Sequence, residues 1–156
     1  MAIVYANIGS NLGNRRQLIE KALDCIYKNF GINCISGFVE SEPWGFVSAN
    51  RFLNIGVAFR TELYPEQVLD ILQEIEKEIS HVAHRDSMGN YKDREIDIDI
   101  MAIDNIRLDS ERLTLPHRYL FDRPFFLIPF NELRNSGIIP SNVTRIQPGR
   151  IESDSL

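Results

Sequence analysis

Ile96-Asp97-Ile98-Asp99-Ile100 alternates strictly between apolar and acidic residues. In a strand, that period of two sends the three isoleucines to one face and both carboxylates to the other, about 6.5–7 Å apart along the chain. Two hard oxygen ligands on a rigid strand suit Mg²⁺, which keeps waters and completes its shell with substrate phosphates. Arg94 precedes the pair by three residues, and His117, Arg118 and Arg123 follow in the next elements. Acidic metal ligands ringed by arginine and histidine are what phosphoryl transfer needs, because its catalysis is mostly positioning and charge neutralisation. The plainer alternative is a half-buried strand with a solvated polar face and ordinary surface ion pairs. Local pattern alone favours that alternative; the combination of residues argues against it.

Other candidates are weaker. The stretch Ser41–Arg51 has loop composition yet holds Trp44 and Phe46, and aromatics in a loop point to a ligand site more than the same residues in a strand. His81 and His84 with Asp86 lack a cysteine or a rigid partner and make a poor tetrahedral zinc site. Neither GxxxxGKS/T nor GxGxxG occurs, so no Walker loop or Rossmann phosphate turn is available. Gly9-Ser10-Asn11 reads locally as a strand–helix turn.

The elements that must position these residues follow from hydrophobic periodicity. Ala2–Gly9 reads as a strand, and Asn14 is placed to cap a helix with Gln17 at capping-box spacing. Ile19, Ala22, Leu23, Ile26 and Phe30 give that helix one apolar face. Strands are expected over Ile32–Glu40 and Phe52–Thr61, and Pro65 starts a helix striped by Val68, Leu69, Leu72, Ile75 and Ile79. His81–Asp93 reads as a long mobile loop, followed by a strand over Arg94–Ile103 and a short one at Ile106–Leu108. Leu113–His117 is extended, a short helix falls within Arg118–Leu133, and residues 134–156 look peripheral. The order β-α-β-β-α-β predicts an α+β fold, a ferredoxin-like sandwich. Its antiparallel sheet would carry helices on one face and leave the other free for a ligand.

The 156 residues are expected to form one domain. With 17 Lys+Arg against 22 Asp+Glu, the net charge of −5 argues against a broad nucleic-acid surface, though not against a small basic pocket for a nucleotide. No apolar run approaches the roughly 20 residues of a membrane span, and no signal peptide is evident. Cys25 and Cys34 lack CxxC or zinc spacing and read as free thiols in a reducing cytoplasm.

Taken in order, Ile8-Gly9-Ser10-Asn11-Leu12-Gly13, Glu40-Ser41-Glu42-Pro43-Trp44-Gly45, Phe52-Leu53-Asn54, Arg94-Glu95-Ile96-Asp97-Ile98-Asp99-Ile100, Leu113-Thr114-Leu115-Pro116-His117 and Arg123 carry a resemblance. Together they resemble the 6-hydroxymethyl-7,8-dihydropterin pyrophosphokinase family over about residues 3–133. The resemblance implies transfer of pyrophosphate from ATP to the pterin in folate synthesis, giving AMP and the pterin diphosphate. It implies that Asp97 and Asp99 hold two Mg²⁺ ions bridging the ATP phosphates and the pterin hydroxymethyl oxygen. Arg94, His117 and Arg123 match triphosphate contacts, and Gln73, Glu76, Ile100 and Arg118 match positions near the nucleotide. Phe52 and Phe125 match the aromatics that sandwich the pterin, with Asn54 and the segment Ser41, Glu42, Pro43 and Trp44 at its edge. Tyr91 sits where the family often has a tryptophan.

The chain departs from the family pattern at Ile79-Ser80-His81-Val82-Ala83-His84-Arg85, where loop arginines are usual. His81, His84 and Arg85 are the candidate replacements. A non-catalytic pterin- or nucleotide-binding module of the same fold is the alternative. A monomer is expected.

Overall fold

The computed structural model describes residues 1–46, 48–80 and 93–136. In chain order they form β1 (Ala2–Ser10), α1 (Arg15–Phe30), β2 (Cys34–Ser41), β3 (Phe52–Thr61), α2 (Pro65–Ile79), β4 (Asp97–Ile103), β5 (Leu108–Asp109), β6 (Thr114–Leu115) and α3 (Pro124–Asn135). Asn14 Oδ1 accepts the Gln17 N–H at 3.2 Å, satisfying a first-turn donor of α1. Pro65 opens α2, where Gln67 Oε1 accepts the Tyr64 N–H at 2.9 Å.

The four long strands form one sheet in the order β2-β3-β1-β4, with every neighbouring pair antiparallel. Alternation along β1 sends Val4, Ala6 and Ile8 to the face covered by α1 and α2, where they meet Ile19, Leu23, Ile26, Val68, Leu72 and Ile75. Ile96, Ile98 and Ile100 join the same core, as the sequence pattern requires.

The second face is shared. Phe126, Phe130 and Leu133 of α3 pack on Ala58, Met101, Ala102 and Leu120. Gly56 makes this approach possible: a Cβ there would lie 2.8 Å from Pro129 Cβ and 2.9 Å from Leu133 Cδ1. The expectation that all helices share one face is therefore corrected. α3 carries an apolar stripe of its own, and the second face has small residues over which to lay it.

Both edge strands carry a β-bulge. On β4, Tyr5 pairs with Ala102 and Ala6 with Ile100, so Met101 is an extra residue. On β2, Ser36 and Gly37 together oppose Gly56, between the pairs Ile35–Val57 and Phe38–Ile55. Bulges raise local twist and discourage pairing at exposed edges.

Some boundaries move. β2 starts at Cys34, two residues late, because Gly31 ends α1 at positive φ and the Asn33 N–H already bonds Ala58 O. β4 starts at Asp97 rather than Arg94. The short strand falls at Leu108–Asp109, not Ile106–Leu108, because the turn after Ile103 includes an Ile106 N–H bond to Ile103 O. Among the described residues, no helix is long and apolar enough to cross a membrane. His81, His84, Arg85 and Tyr91 lie outside the described residues, as does the segment 137–156.

Candidate active site

The part of the second face that α3 leaves open holds a cavity of about 530 Å³. Its floor is the polar register of three strands. Gly9 pairs with Asn54 on one side and Asp97 on the other; Asn7 pairs with Gly56 and Asp99. The isoleucines of β4 face away, so burial of one half of the strand presents the carboxylates of the other half to the cavity.

The acidic end is crowded. Arg94 Nη1 lies 2.6 Å from Asp97 Oδ2. Glu76 of α2 reaches across, its Oε2 accepting the Ile98 N–H at 2.6 Å. Because β4 is a sheet edge, that N–H would otherwise lack a strand partner; Glu76 supplies one between the two aspartates. Burial, then the charge of Asp97, push the Glu76 carboxyl up to about 8. Asp99 is also pushed well up, by burial first and then by Asp97. Three carboxylates with Arg94 beside them hold more negative charge than a buried site accommodates without protons or a cation.

Among the described residues, no group of three or more His, Cys, Asp or Glu side chains is arranged to hold a metal ion. The pair Asp97 and Asp99 nevertheless fits Mg²⁺, which binds through one or two carboxylates and takes its other oxygens from water and phosphate. Excess acid in the site supports that fit.

The cationic wall comes from the chain after β6. His117 is tied to β4 by its N–H bond to Met101 O at 2.8 Å. Its Nδ1 accepts the Tyr119 N–H at 3.0 Å, which leaves Nε2–H as the ring's donor. Burial, and then the charge of Arg123, lower its pKa to about 4, so the ring is neutral at pH 7. Arg118 is exposed at the rim, and Arg123 lies deeper, at the start of α3.

The aromatic end is built by Phe52, Phe125, Trp44 and Phe46 around Asn54. Asn54 donates to Ser41 Oγ at 3.0 Å and to Val39 O at 3.3 Å, so its amide is held in one orientation. Bare backbone at Gly9 makes room for it: a Cβ would fall 2.8 Å from Asn54 Oδ1. Phe125 is fixed from behind. Pro129 has no N–H for the Phe125 carbonyl four residues earlier, and Asn7 Nδ2 donates to that carbonyl instead, at 2.8 Å.

Of the residues singled out from sequence, Arg94, Asp97, Asp99, Gln73, Glu76, Ile100, His117, Arg118, Arg123, Trp44, Phe52, Asn54 and Phe125 line one cavity. Ser41, Glu42 and Pro43 do not line it; Ser41 supports Asn54, and Glu42 ion-pairs with Arg51 at 3.3 Å. Asn7, Glu111, Arg112, Thr114 and Tyr119 also line it and were not foreseen. Arg112 reaches Asp70 at 2.6 Å and Gln73 at 3.3 Å, tying the β5–β6 hairpin to α2. For Asn7 a signal existed, a lone polar residue inside an apolar strand. The Gly9-Ser10-Asn11 turn acts as a staple. Asn11 Oδ1 accepts the Arg94 N–H at 2.7 Å, while its Nδ2 donates to Asp93 at 2.8 Å and to Asn50 O at 3.2 Å.

An α+β sandwich brings paired carboxylates, facing cations and an aromatic slot into one cavity, an arrangement that suits an anion and a flat ring side by side. Residues 5–135 match the family model described as 7,8-dihydro-6-hydroxymethylpterin-pyrophosphokinase (HPPK), and the chain belongs to this family. It is 42% identical over 135 residues to the 2-amino-4-hydroxy-6-hydroxymethyldihydropteridine pyrophosphokinase of Porphyromonas gingivalis, covering 85% of this chain and 91% of that protein. It is 35% identical to the enzyme of the same name from Aquifex aeolicus, covering 90% of this chain and 85% of that one. The fold is similar to that of the HPPK-DHPS protein of Plasmodium falciparum, with a TM-score of 0.62 at 15% identity, covering 99% of this chain and 44% of that one.

Proposed function

We propose that this chain transfers the pyrophosphoryl group of ATP to the hydroxymethyl group of 6-hydroxymethyl-7,8-dihydropterin, yielding AMP and the pterin diphosphate for folate synthesis. The supporting observation is that the family match over residues 5–135 spans a cavity with cationic, acidic and aromatic walls in contact with one another. The strand order β2-β3-β1-β4 supports reading the fold as a ferredoxin-like split β-α-β.

Asp97 and Asp99 would hold Mg²⁺, two ions in this reading. When bound, the metal supplies charge neutralisation at the phosphate oxygens. Arg94 and Arg123 bind and orient the triphosphate, and neutral His117 donates a hydrogen bond from Nε2. Gln73, Glu76, Ile100 and Arg118 border the nucleotide. Phe52 and Phe125 sandwich the pterin, and Asn54 reads its amide edge from a fixed rotamer. Bringing the hydroxyl in line with the β-phosphorus is then a matter of two rigid subsites at a set distance.

The test is product analysis with ATP, Mg²⁺ and the hydroxymethylpterin. AMP and a diphosphorylated pterin are expected. ADP with a monophosphorylated product would indicate another phosphoryl transferase. Binding of both ligands without AMP would indicate the non-catalytic module.

A further inference from the structure

The Arg123 guanidinium lies among ring faces. Its Cζ is 4.2 Å from the ring centroid of Trp44, 4.8 Å from Tyr119, 5.0 Å from Phe126 and 5.7 Å from Phe125. All four distances fall within the roughly 6 Å over which a cation is attracted to an aromatic face. Trp44 and Tyr119 also touch each other, with centroids 4.8 Å apart. Among the described residues no carboxylate pairs with Arg123, and its buried Nε has no hydrogen-bond partner. The backbone beneath is fixed as well: the Arg123 N–H bonds Tyr119 O at 3.0 Å, and its carbonyl accepts from Phe126 and Leu127 at 2.9 Å.

This arrangement differs from an ion pair in what it leaves available. A carboxylate partner would occupy the in-plane N–H donors, which an incoming anion would then have to win back. Aromatic rings stabilise the charge without accepting its N–H donors, which stay available for a planar, bidentate contact with phosphate. We infer that Trp44 and Tyr119, in contact with one another, are positioning residues that clamp Arg123 from one side as a single aromatic wall, presenting its N–H edge to a phosphate of the nucleotide. Trp44 belongs to the β2–β3 connection beside the aromatic slot, whereas Arg123 belongs to the cationic wall. The clamp therefore joins the two subsites through one cation.

The inference rests on the nucleotide-binding reading above, and its test needs no turnover. Dissociation constants for a non-hydrolysable ATP analogue with Mg²⁺ are measured by calorimetry on the full chain. The proteins compared are wild type, Trp44→Leu, Trp44→Phe, Tyr119→Leu and Arg123→Met, plus the double variant Trp44→Leu/Arg123→Met. Trp44→Leu should weaken binding about fivefold, the size of a cation–π contact on a partly exposed ring. Trp44→Phe should restore most of the loss, and Tyr119→Leu should weaken binding severalfold. In the Arg123→Met background, Trp44→Leu should have no further effect, because it acts through the arginine. Wild-type affinity in both leucine variants would overturn the clamp while leaving the nucleotide site standing. A tryptophan effect that adds in full to Arg123→Met would also overturn it. Failure of the wild-type protein to bind the analogue would remove the nucleotide reading and the clamp together.

Discussion

The two faces of the sheet are made by the same strands yet follow different rules. On the α1/α2 face, Val4, Ala6, Ile8, Ile96, Ile98 and Ile100 form a continuous apolar layer with the helix stripes. On the other, Asn7, Gly9, Asn54, Asp97 and Asp99 occupy the alternate positions, and α3 closes only part of that face. One face supplies stability that the other can draw upon. A row of crowded carboxylates beside a bare glycine is tolerable because the opposite side of each strand is anchored.

Substitutions one residue apart should separate these rules. Asp97→Ala is expected to lower the AMP-release rate by about a thousandfold or more while leaving the melting temperature nearly unchanged, since on the proposed reading it removes a metal ligand rather than a core group. Gly9→Ala should raise the pterin KM, lowering kcat/KM for the pterin up to about a hundredfold with the ATP KM little altered, because its Cβ displaces Asn54. Ile8→Ala should do the reverse. A fully buried isoleucine reduced to alanine costs about 2–5 kcal/mol in denaturant unfolding, with near-normal activity in the molecules that remain folded.

Two smaller effects concern protons. Burial and Asp97 raise Glu76 to about 8, so the metal-free site holds a proton at pH 7 that Mg²⁺ should expel. Calorimetry in buffers of different ionisation heat would measure that release, and Mg²⁺ affinity should climb as pH rises towards 8. Because this pKa is raised on folding, its stabilising contribution is fully present below the unfolded value near 4.5 and is lost as pH rises through about 8. His117 has the opposite sign. Its pKa is lowered from 6.5 to about 4, so its contribution is present above 6.5 and is lost as pH falls towards 4. NMR titration of the ring should find the apo value near 4 and an upward move when nucleotide phosphates bind.

The contrast between the faces also shows what could be read from the residues beforehand. Period-two alternation at Ile96–Ile100 and the stripe from Val68 to Ile79 are local signals of burial, and the structure carries both. Neither the span of β4 nor the position of α3 has such a signal. Arg94 was expected inside the strand, but Asn11 holds it in the approach to β4 through contacts more than eighty residues distant in sequence. α3 lies on the second face because Gly56 permits it, a long-range fit that no window around residues 124–135 displays. The same reason hid Arg112 and Tyr119, whose roles depend on what lies opposite them. Asp97 and Asp99 were legible since their spacing alone carries a geometric meaning.

Met101, the extra residue of the β4 bulge, divides that strand into two lengths with opposite phase. Ahead of it, even-numbered positions face α1 and α2; beyond it, Ile103 faces them instead. The sheet in effect has a reading frame, and Met101 is where the frame shifts. Deleting Met101 itself would keep that frame: Ile100 stays opposite Ala6, Ala102 opposite Tyr5 and Ile103 opposite Val4, so every side chain keeps its face. What would go is the bulge, together with the carbonyl that receives the His117 N–H and the side chain that packs under α3, so one extra residue on an edge strand ties the cationic wall to the sheet.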